Sequence, residues 1–187
     1  MPIRITTPRQ AHEFLASRVN FERQLAGPVE SGDLNLERMR HLLDRLGNPQ
    51  DRLPAVHLAG TKGKGSTAVM IARVLEAAGV RTALFTSPHL QTFEERLTVN
   101  GRPPTGPELA SLVDRVAQVT AQLDRLPGQL GPTYFEIATA LGWLYFLEQR
   151  AELVVLEVGL GGRLDSTNLQ HHQFGPLLEK IQPAEGG

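Results

Sequence analysis

The chain has 187 residues and a formal net charge of −1, and 41% of its residues are hydrophobic. This composition is typical of a soluble globular protein and excludes a disordered chain. Because so small a net charge gives no extended basic field, we expect neither nucleic acid nor a membrane surface as a partner. The lack of cysteine excludes disulfides and thiolate metal sites. With no apolar leader and no run of about 18 apolar residues, the expected location is the cytoplasm.

Two helices are predicted near the N-terminus. Thr7 and Pro8 have the pattern of an N-cap and a first helical residue. The buried side of this helix would carry Phe14, Leu15 and Val19. Residues 27–32 contain glycine, proline and serine and predict a loop. A second helix should run from residue 35 to Gly47, because apolar residues recur at helical spacing at Leu36, Met39, Leu42, Leu43 and Leu46.

A strand–helix–strand unit is predicted next. Residues 54–59 and 82–86 are short apolar segments typical of strands. Between them lie a glycine-containing turn and a mostly apolar helix that Gly79 closes. Two strands joined in this way require parallel pairing and a right-handed crossover.

The second half of the chain predicts one short strand, two capped helices and a buried strand. Residues 97–99 followed by Asn100-Gly101 indicate a strand and a tight turn, whose return arm the following prolines disfavour. Capping boxes begin helices at residues 105 and 133, which should extend to about residues 126 and 149. The second of these helices is apolar nearly all round, so we expect it to be buried between layers. Residues 153–158 are typical of a strand inside a parallel sheet.

The stretch "AGTKGKGST", residues 59–67, predicts a phosphate-binding loop. Glycines allow backbone amides to turn toward an anion, and the following helix points its positive end at the same place. Lys64 would supply a charge for the terminal phosphates, and Ser66 or Thr67 would cap the helix or support a metal. The loop departs from the Walker A pattern at Leu58 and Gly65. The alternative is a flexible turn decorated with lysines.

Two further positions have residues suited to a cation site. Ser87-Pro88-His89 follows the second strand, where open α/β sheets collect ligands, although a turn ending the strand is the alternative. Glu157 interrupts an apolar strand, and a carboxylate there is costly to bury unless it is neutralised, paired or bound to metal. The alternative for Glu157 is a strand end that reaches solvent. Glycines 159, 161 and 162 then allow a close approach of backbone to a ligand, and a local Arg163–Asp165 ion pair is an alternative use of that segment.

Several segments in order resemble the folate branch of the Mur ligase superfamily, which contains folylpolyglutamate synthase and dihydrofolate synthase. They are "LNLERMRHLLDRLGNPQ", "AGTKGKGST", "FTSPHLQTFEERLTVNG", "TYFEIATALGWLYFLEQ" and "VVLEVGLGGRLDSTN". The glycine at position 65 is similar to that branch, whereas cell-wall members usually carry a hydroxyl residue there. The resemblance extends from Pro8 to Leu169.

The resemblance implies a P-loop-type α/β fold with a mostly parallel sheet flanked by helices, incomplete relative to the full Mur ligase central domain. It implies an ATP-dependent ligase that adds L-glutamate to dihydropteroate or to folylpolyglutamate through an acyl phosphate, with ATP as co-substrate and Mg²⁺ as cofactor. Lys64 would be catalytic, and Ser87 and Glu157 would bind the Mg²⁺. The ATP-binding residues would be Gly60, Thr61, Lys62, Gly63, Lys64, Gly65 and Ser66. The residues contacting pteroate or folate would be Gly32, Asp33, Leu34, Thr133, Tyr134, Phe135, Glu136, Leu164, Asp165 and Ser166, with Tyr134 or Phe135 stacking on an aromatic ring.

The same resemblance implies a division of the chain at residue 169. Residues 1–169 would form the N-terminal ATP-binding domain, ended early, and residues 170–187 would be a tail that does not match the family. This tail lacks the expected strand and its Asp-His pair, and neither His171 nor His172 is expected to take the metal-binding role. The glutamate-binding C-terminal domain would be absent. We therefore expect nucleotide binding but little ligase turnover from these 187 residues alone.

Three other interpretations stay open. The first is a folate- or nucleotide-binding protein that has lost catalysis, which the missing histidine favours. The second is an unrelated P-loop nucleotide hydrolase or kinase, which the Walker spacing and Glu157 disfavour. The third is a non-functional remnant, whose sheet would lack strands that cover its edge.

Overall fold

The computed structural model describes residues 4–22, 36–126, 130–159, 165–167 and 169. Over these ranges the chain forms a four-stranded sheet with helices on both faces. The helices are α1 (Pro8–Ala16), α2 (Leu36–Arg45), α3 (Lys64–Ala77), α4 (Gly106–Leu123) and α5 (Tyr134–Glu148), and the strands are β1 (Ala55–Leu58), β2 (Thr82–Phe85), β3 (Leu97–Val99) and β4 (Leu153–Glu157). Two short 3-10 helices lie at Pro49–Arg52 and Phe93–Arg96. None of the described helices is long and apolar enough to cross a bilayer.

Local sequence signals place the helix starts correctly. Capping boxes at Thr7, Thr105 and Thr133 begin α1, α4 and α5, as predicted. The second predicted helix is also confirmed, with Gly47 following it at a φ of +82°. One prediction for α1 is wrong: Val19 lies beyond the last helical residue and is 38% exposed, so it does not belong to the buried side of the helix. The predicted loop at residues 27–32 falls outside the described residues.

The sheet has the strand order β1-β4-β2-β3. The predicted parallel orientation of β1 and β2 is confirmed, but the two strands do not pair with each other, because β4 lies between them and is parallel to both. Because β4 lies in the middle of the sheet, it is covered on both faces and both edges, and all five of its residues are buried. The register pairs Leu58 with Glu157 and Phe85 with Leu156. The carboxyl ends of β1, β4 and β2 therefore meet at one edge of the sheet.

The predicted tight turn after β3 is present. Asn100 and Gly101 both have positive φ, at 48° and 71°, as a two-residue hairpin turn requires. Val99 and Arg102 exchange both backbone hydrogen bonds across it, at 2.9 and 3.0 Å. The return arm stops after this pair because two prolines follow, and β3 instead pairs antiparallel with β2.

Strand alternation assigns each β4 side chain to one of two layers. Val154 and Leu156 pack into the larger core with α5, whereas Val155 packs on Ala68 and Ala72 of α3. Since side chains two apart share a face, Glu157 lies on the same side as Val155. The carboxylate is thereby directed toward the N-terminal end of α3. Helix α5 is buried over most of its circumference, as predicted, whereas α3 leaves Met70 60% exposed and Val74 70% exposed.

Candidate functional site

The glycine turn joins β1 to α3 at the carboxyl edge of the sheet. Gly63 is the N-cap of α3 with a φ of +74°, a conformation that glycine adopts without strain. No side chain caps this helix, and the hydroxyl of Thr67 donates to the Gly63 carbonyl at 2.9 Å. Capping by Ser66 or Thr67 is therefore wrong, whereas the alternative that one of them supports a metal stays a prediction. The first amides of an α-helix have no acceptor within the helix. The exposed turn therefore presents free donors and a positive helix end, which suits an anion.

The Glu157 carboxylate connects this turn to the ends of β2 and β4. Glu157 is 7% exposed, and its Oε2 accepts a hydrogen bond from the Ser87 backbone N–H at 3.0 Å. A Cβ placed on Gly65 would lie 3.2 Å from both carboxylate oxygens. This contact gives a physical reason for the departure from the Walker A pattern, because any side chain at position 65 would press on the carboxylate. The structure thus brings together the glycine turn, Ser87 and Glu157, as the sequence predicts.

The donor set at this point fits a hard divalent cation that is shared with phosphate. The Glu157 carboxylate lies beside Gly65 at the start of α3 and accepts from the backbone of Ser87, a residue that also carries a hydroxyl. Within the described ranges, no group of three or more His, Cys, Asp or Glu side chains could hold a metal. Mg²⁺ is commonly held by one or two carboxylates, with phosphate oxygens and water completing the octahedron. The residues present therefore fit a cation that arrives with a nucleotide.

We expect Gly65→Ala to destabilise the fold by roughly 1–3 kcal/mol, the usual cost of overpacking a tight site. Urea unfolding monitored by circular dichroism measures this cost. The matched control is the same substitution in a Glu157→Ala background, where the oxygens that crowd the new methyl group are gone. There the substitution should be neutral or stabilising, because alanine is the better helix former. Equal costs in both backgrounds would contradict the assigned contact.

The predicted pteroate-contacting residues Tyr134 and Phe135 lie in different surroundings. The Phe135 ring packs edge-on against Phe85, with centroids 5.9 Å apart, and a Cβ on Gly159 would overlap it. Gly159 therefore allows the ring to approach the chain just after Glu157. Tyr134 instead packs edge-on against Phe93, at 6.0 Å, beside a separate cavity. The ring of Phe135 thus lies near the carboxyl edge of the sheet, beside Phe85 at the end of β2.

The cavity beside Tyr134 has a volume of about 370 Å³. Two residues of its wall, His89 and Tyr134, contact a buried arginine, Arg96, which the sequence analysis did not identify. Arg96 is 1% exposed, donates two hydrogen bonds to Glu22 at 3.0 and 2.7 Å, and donates a third to Nδ1 of His89 at 2.8 Å. Its guanidinium also lies 5.3 Å from the Tyr134 ring centroid. No local sequence pattern predicts the pairing of Arg96 with Glu22, because the two residues are 74 positions apart in the sequence.

Thr133 and Glu136 form the capping box of α5, and both are buried. The Glu136 carboxylate accepts from the Thr133 backbone N–H at 2.7 Å and from its hydroxyl at 2.9 Å. It also accepts from Nε of Arg38 at 2.9 and 2.7 Å, in a pair whose side chains are 11% and 6% exposed. Capping, which is the ordinary interpretation of this motif, is therefore confirmed. The contact of these two residues with pteroate stays a prediction.

Asp165 and Ser166 are both buried and hydrogen-bonded. Ser166 Oγ lies 3.1 Å from the Thr139 hydroxyl on α5, and Asp165 Oδ1 accepts from the Thr167 amide at 2.9 Å. Thr167 in turn contacts His57 of β1, a residue that sequence reasoning overlooked although it is a polar residue inside an apolar strand. The remaining predicted contacts at Gly32, Asp33, Leu34 and Leu164 lie outside the described residues. So do Arg163, His171 and His172.

The sheet is mostly parallel, and at its carboxyl edge a glycine turn leads into a helix beside a buried acid. These features define a P-loop-type α/β protein. Sequence comparison assigns the family. The chain is 46% identical over 148 residues to the Bacillus subtilis dihydrofolate synthase/folylpolyglutamate synthase, covering 78% of this chain and 33% of that protein. It is 46% identical over 135 residues to the folylpolyglutamate synthase of Lacticaseibacillus casei, covering 71% and 31%. No family model matches the chain.

Solved structures agree with this assignment. The crystal structure of folylpolyglutamate synthase from Thermotoga maritima superposes with a TM-score of 0.76 at 35% identity, over 88% of this chain and 36% of that one. A folylpolyglutamate synthase complex with AMPPCP and folate gives a TM-score of 0.76 at 34% identity, over 87% and 38%. The chain belongs to the folylpolyglutamate synthase/dihydrofolate synthase family. It spans about a third of the length of the relatives it matches.

Proposed function

We propose that the chain is the ATP-binding part of a ligase that adds L-glutamate to dihydropteroate or to a folylpolyglutamate. The observation that carries the proposal is the buried Glu157 carboxylate, held by the Ser87 amide over Gly65 at the start of α3. A related synthase has been solved with AMPPCP and folate, which supports a nucleotide and a folate as ligands here. The proposed unit comprises residues 1–169, and residues 170–187 follow it.

In the proposed mechanism the protein mainly positions groups and neutralises charge. The amides at the start of α3 and the Lys64 ammonium bind the triphosphate. The substrate carboxylate attacks the γ-phosphorus, which gives an acyl phosphate and releases ADP. The glutamate amine then attacks the acyl carbon and displaces phosphate. Mg²⁺ bound with the nucleotide supplies further charge neutralisation, and Ser87 and Glu157 are the residues that would hold it.

The acceptor substrate is proposed to bind along the same sheet edge. The Phe135 ring lies next to Gly159, two residues after Glu157, and offers an apolar face for an aromatic ring. The segment at Asp165 and Ser166 is anchored to α5 by the bond between Ser166 and Thr139. These positions support a pteroate site beside the nucleotide site.

The proposal is tested by titrating the 187-residue chain with AMPPCP and with pteroate by isothermal calorimetry, with and without Mg²⁺. We expect binding of both ligands and no ADP release from ATP when pteroate and glutamate are supplied. ADP release that requires both substrates would contradict the expected lack of turnover by this chain alone. ATP hydrolysis that is indifferent to folates would contradict the proposed ligase function. Tight pteroate binding without nucleotide binding would favour a folate-binding protein that has lost catalysis.

Glu157→Gln tests the role of the acid directly. The amide oxygen can still accept from the Ser87 N–H, whereas the negative charge is removed. We expect Mg²⁺ to strengthen AMPPCP binding to the wild type by about tenfold and to have little effect on the variant. Calorimetry at matched ionic strength measures AMPPCP binding by the wild type and by the variant, with and without Mg²⁺. The control is Glu148→Gln, which removes an exposed carboxylate at the far end of α5 and should keep the Mg²⁺ dependence.

A further inference from the structure

A chain of hydrogen bonds connects β1 to the segment at residues 165–167. Nε2 of His57 lies 2.7 Å from the Thr167 hydroxyl, which lies 2.5 Å from Oδ1 of Asp165. The Thr167 amide donates to the same oxygen at 2.9 Å. Asp165 and Thr167 are each 1% exposed, so these bonds form in the interior. Interior hydrogen bonds are costly to leave unmade.

The chemistry of the three groups determines which of them donates each hydrogen bond. A carboxylate only accepts, so the Thr167 hydroxyl donates its single proton to Asp165. The hydroxyl oxygen must then accept from His57, which requires a proton on Nε2. Burial lowers the pKa of His57 from its ordinary value, against a smaller opposing effect of the Asp165 charge. The imidazole is therefore neutral at pH 7, with its one N–H directed at Thr167.

Because of the position of His57 in the fold, this hydrogen bond joins residues 165–167 to the strand that leads to the nucleotide turn. Gly60, the first glycine of the nucleotide turn, follows His57 by three residues, roughly 10 Å along an extended chain. On its other side the segment is held to α5 by the bond between Ser166 and Thr139. Thr139 also donates to the carbonyl of Phe135 at 2.9 Å. The segment is thus fastened both to the strand that leads to the nucleotide turn and to the helix that carries Phe135.

We propose that His57 is a positioning residue for the acceptor substrate: its Nε2–H holds Thr167, and through it Asp165, in register with the strand that leads to the nucleotide turn. The inference rests on the proposed function, because the segment it positions is the one proposed to contact pteroate. In this role His57 acts through Thr167 rather than by contact with the substrate.

Two substitutions separate positioning from general stability. His57→Leu removes the N–H, whereas His57→Gln keeps an N–H at similar reach. We expect His57→Leu to weaken pteroate binding by about tenfold and AMPPCP binding by less than about twofold, with His57→Gln within about twofold of the wild type for both ligands. His41→Leu, at an exposed position on α2, is the matched control and should change neither affinity. Equal loss of both ligands in His57→Leu, or no rescue by glutamine, would overturn the proposal.

Hydrogen exchange supplies a readout that needs no ligand. In His57→Leu the Thr167 amide should exchange about tenfold faster, while the Thr67 amide of α3, which donates to the carbonyl of the N-cap Gly63, should be unchanged. Unchanged exchange at Thr167 would overturn the role of His57 whatever the affinities. Faster exchange combined with no pteroate binding by the wild type would instead contradict the proposed function, and would confirm that His57 holds the segment.

Discussion

Lys64→Ala is expected to weaken AMPPCP binding by about 10- to 100-fold, because a hydrogen bond to a charged group contributes roughly 1.5–3 kcal/mol. The Lys64 side chain lies back over the turn, with its Cγ 3.7 Å from where a Cβ on Gly60 would stand. This places the stem of the side chain across the turn whose amides are free to bind phosphate. Removing the side chain therefore removes a cation from the turn that is proposed to bind the terminal phosphates.

The control for this variant is Arg73→Ala. It removes a cation from the same helix, where Arg73 is 65% exposed and pairs with Glu76. Since the loss of net charge is identical, a general electrostatic effect would weaken binding equally in both variants, and more at low salt. Calorimetry at two salt concentrations distinguishes this general electrostatic effect from a specific contact of Lys64 with the nucleotide. Equal affinities for the two variants would contradict a specific role for Lys64.

Glu136→Ala is expected to lower the free energy of unfolding by roughly 3–5 kcal/mol, the usual cost of removing one partner from a buried ion pair. The side chains of Glu136 and Arg38 are 6% and 11% exposed, so the remaining guanidinium would lose this carboxylate in the interior. The variant also removes the acceptor that pairs with the Thr133 amide. Helix α5 would then begin without its capping box.

Urea unfolding measures this loss, and Glu148→Ala provides the comparison. Glu148 also pairs with an arginine, Arg115, but both side chains are about half exposed. Such a surface pair contributes about 0–1 kcal/mol, so the control should unfold at nearly the wild-type denaturant concentration. A loss below about 1 kcal/mol in Glu136→Ala would mean that the pair is not buried in solution.

The predictable parts of this fold come from interactions within a few residues. The capping boxes at Thr7, Thr105 and Thr133 each join positions three apart, and the structure contains all three. The sequence also placed Glu157 in an apolar strand with a strand end that reaches solvent as the alternative, and the structure shows the residue buried. The glycine turn was recognisable because its residue types permit few other uses at a strand-to-helix junction.

The missed features join residues far apart in the chain. The bond from His57 to Thr167 spans 110 residues, the pair of Arg38 and Glu136 spans 98, and the pair of Arg96 and Glu22 spans 74. The position of β4 between β1 and β2 is of the same kind. Each depends on which strand or helix packs beside which, and periodicity along the chain does not contain that information.

Local residue order by itself determined where helices begin, where the chain turns and which strand is apolar enough for the interior, because these depend on backbone dihedrals, caps and side-chain alternation. It also determined the residue types of the glycine turn. Only the tertiary structure decided that Glu157 stands over Gly65 with the Ser87 amide as its donor, and that His57 holds Thr167. The physical reason is that a buried polar group needs a partner, and the packing of the whole sheet decides which partner lies within hydrogen-bonding distance.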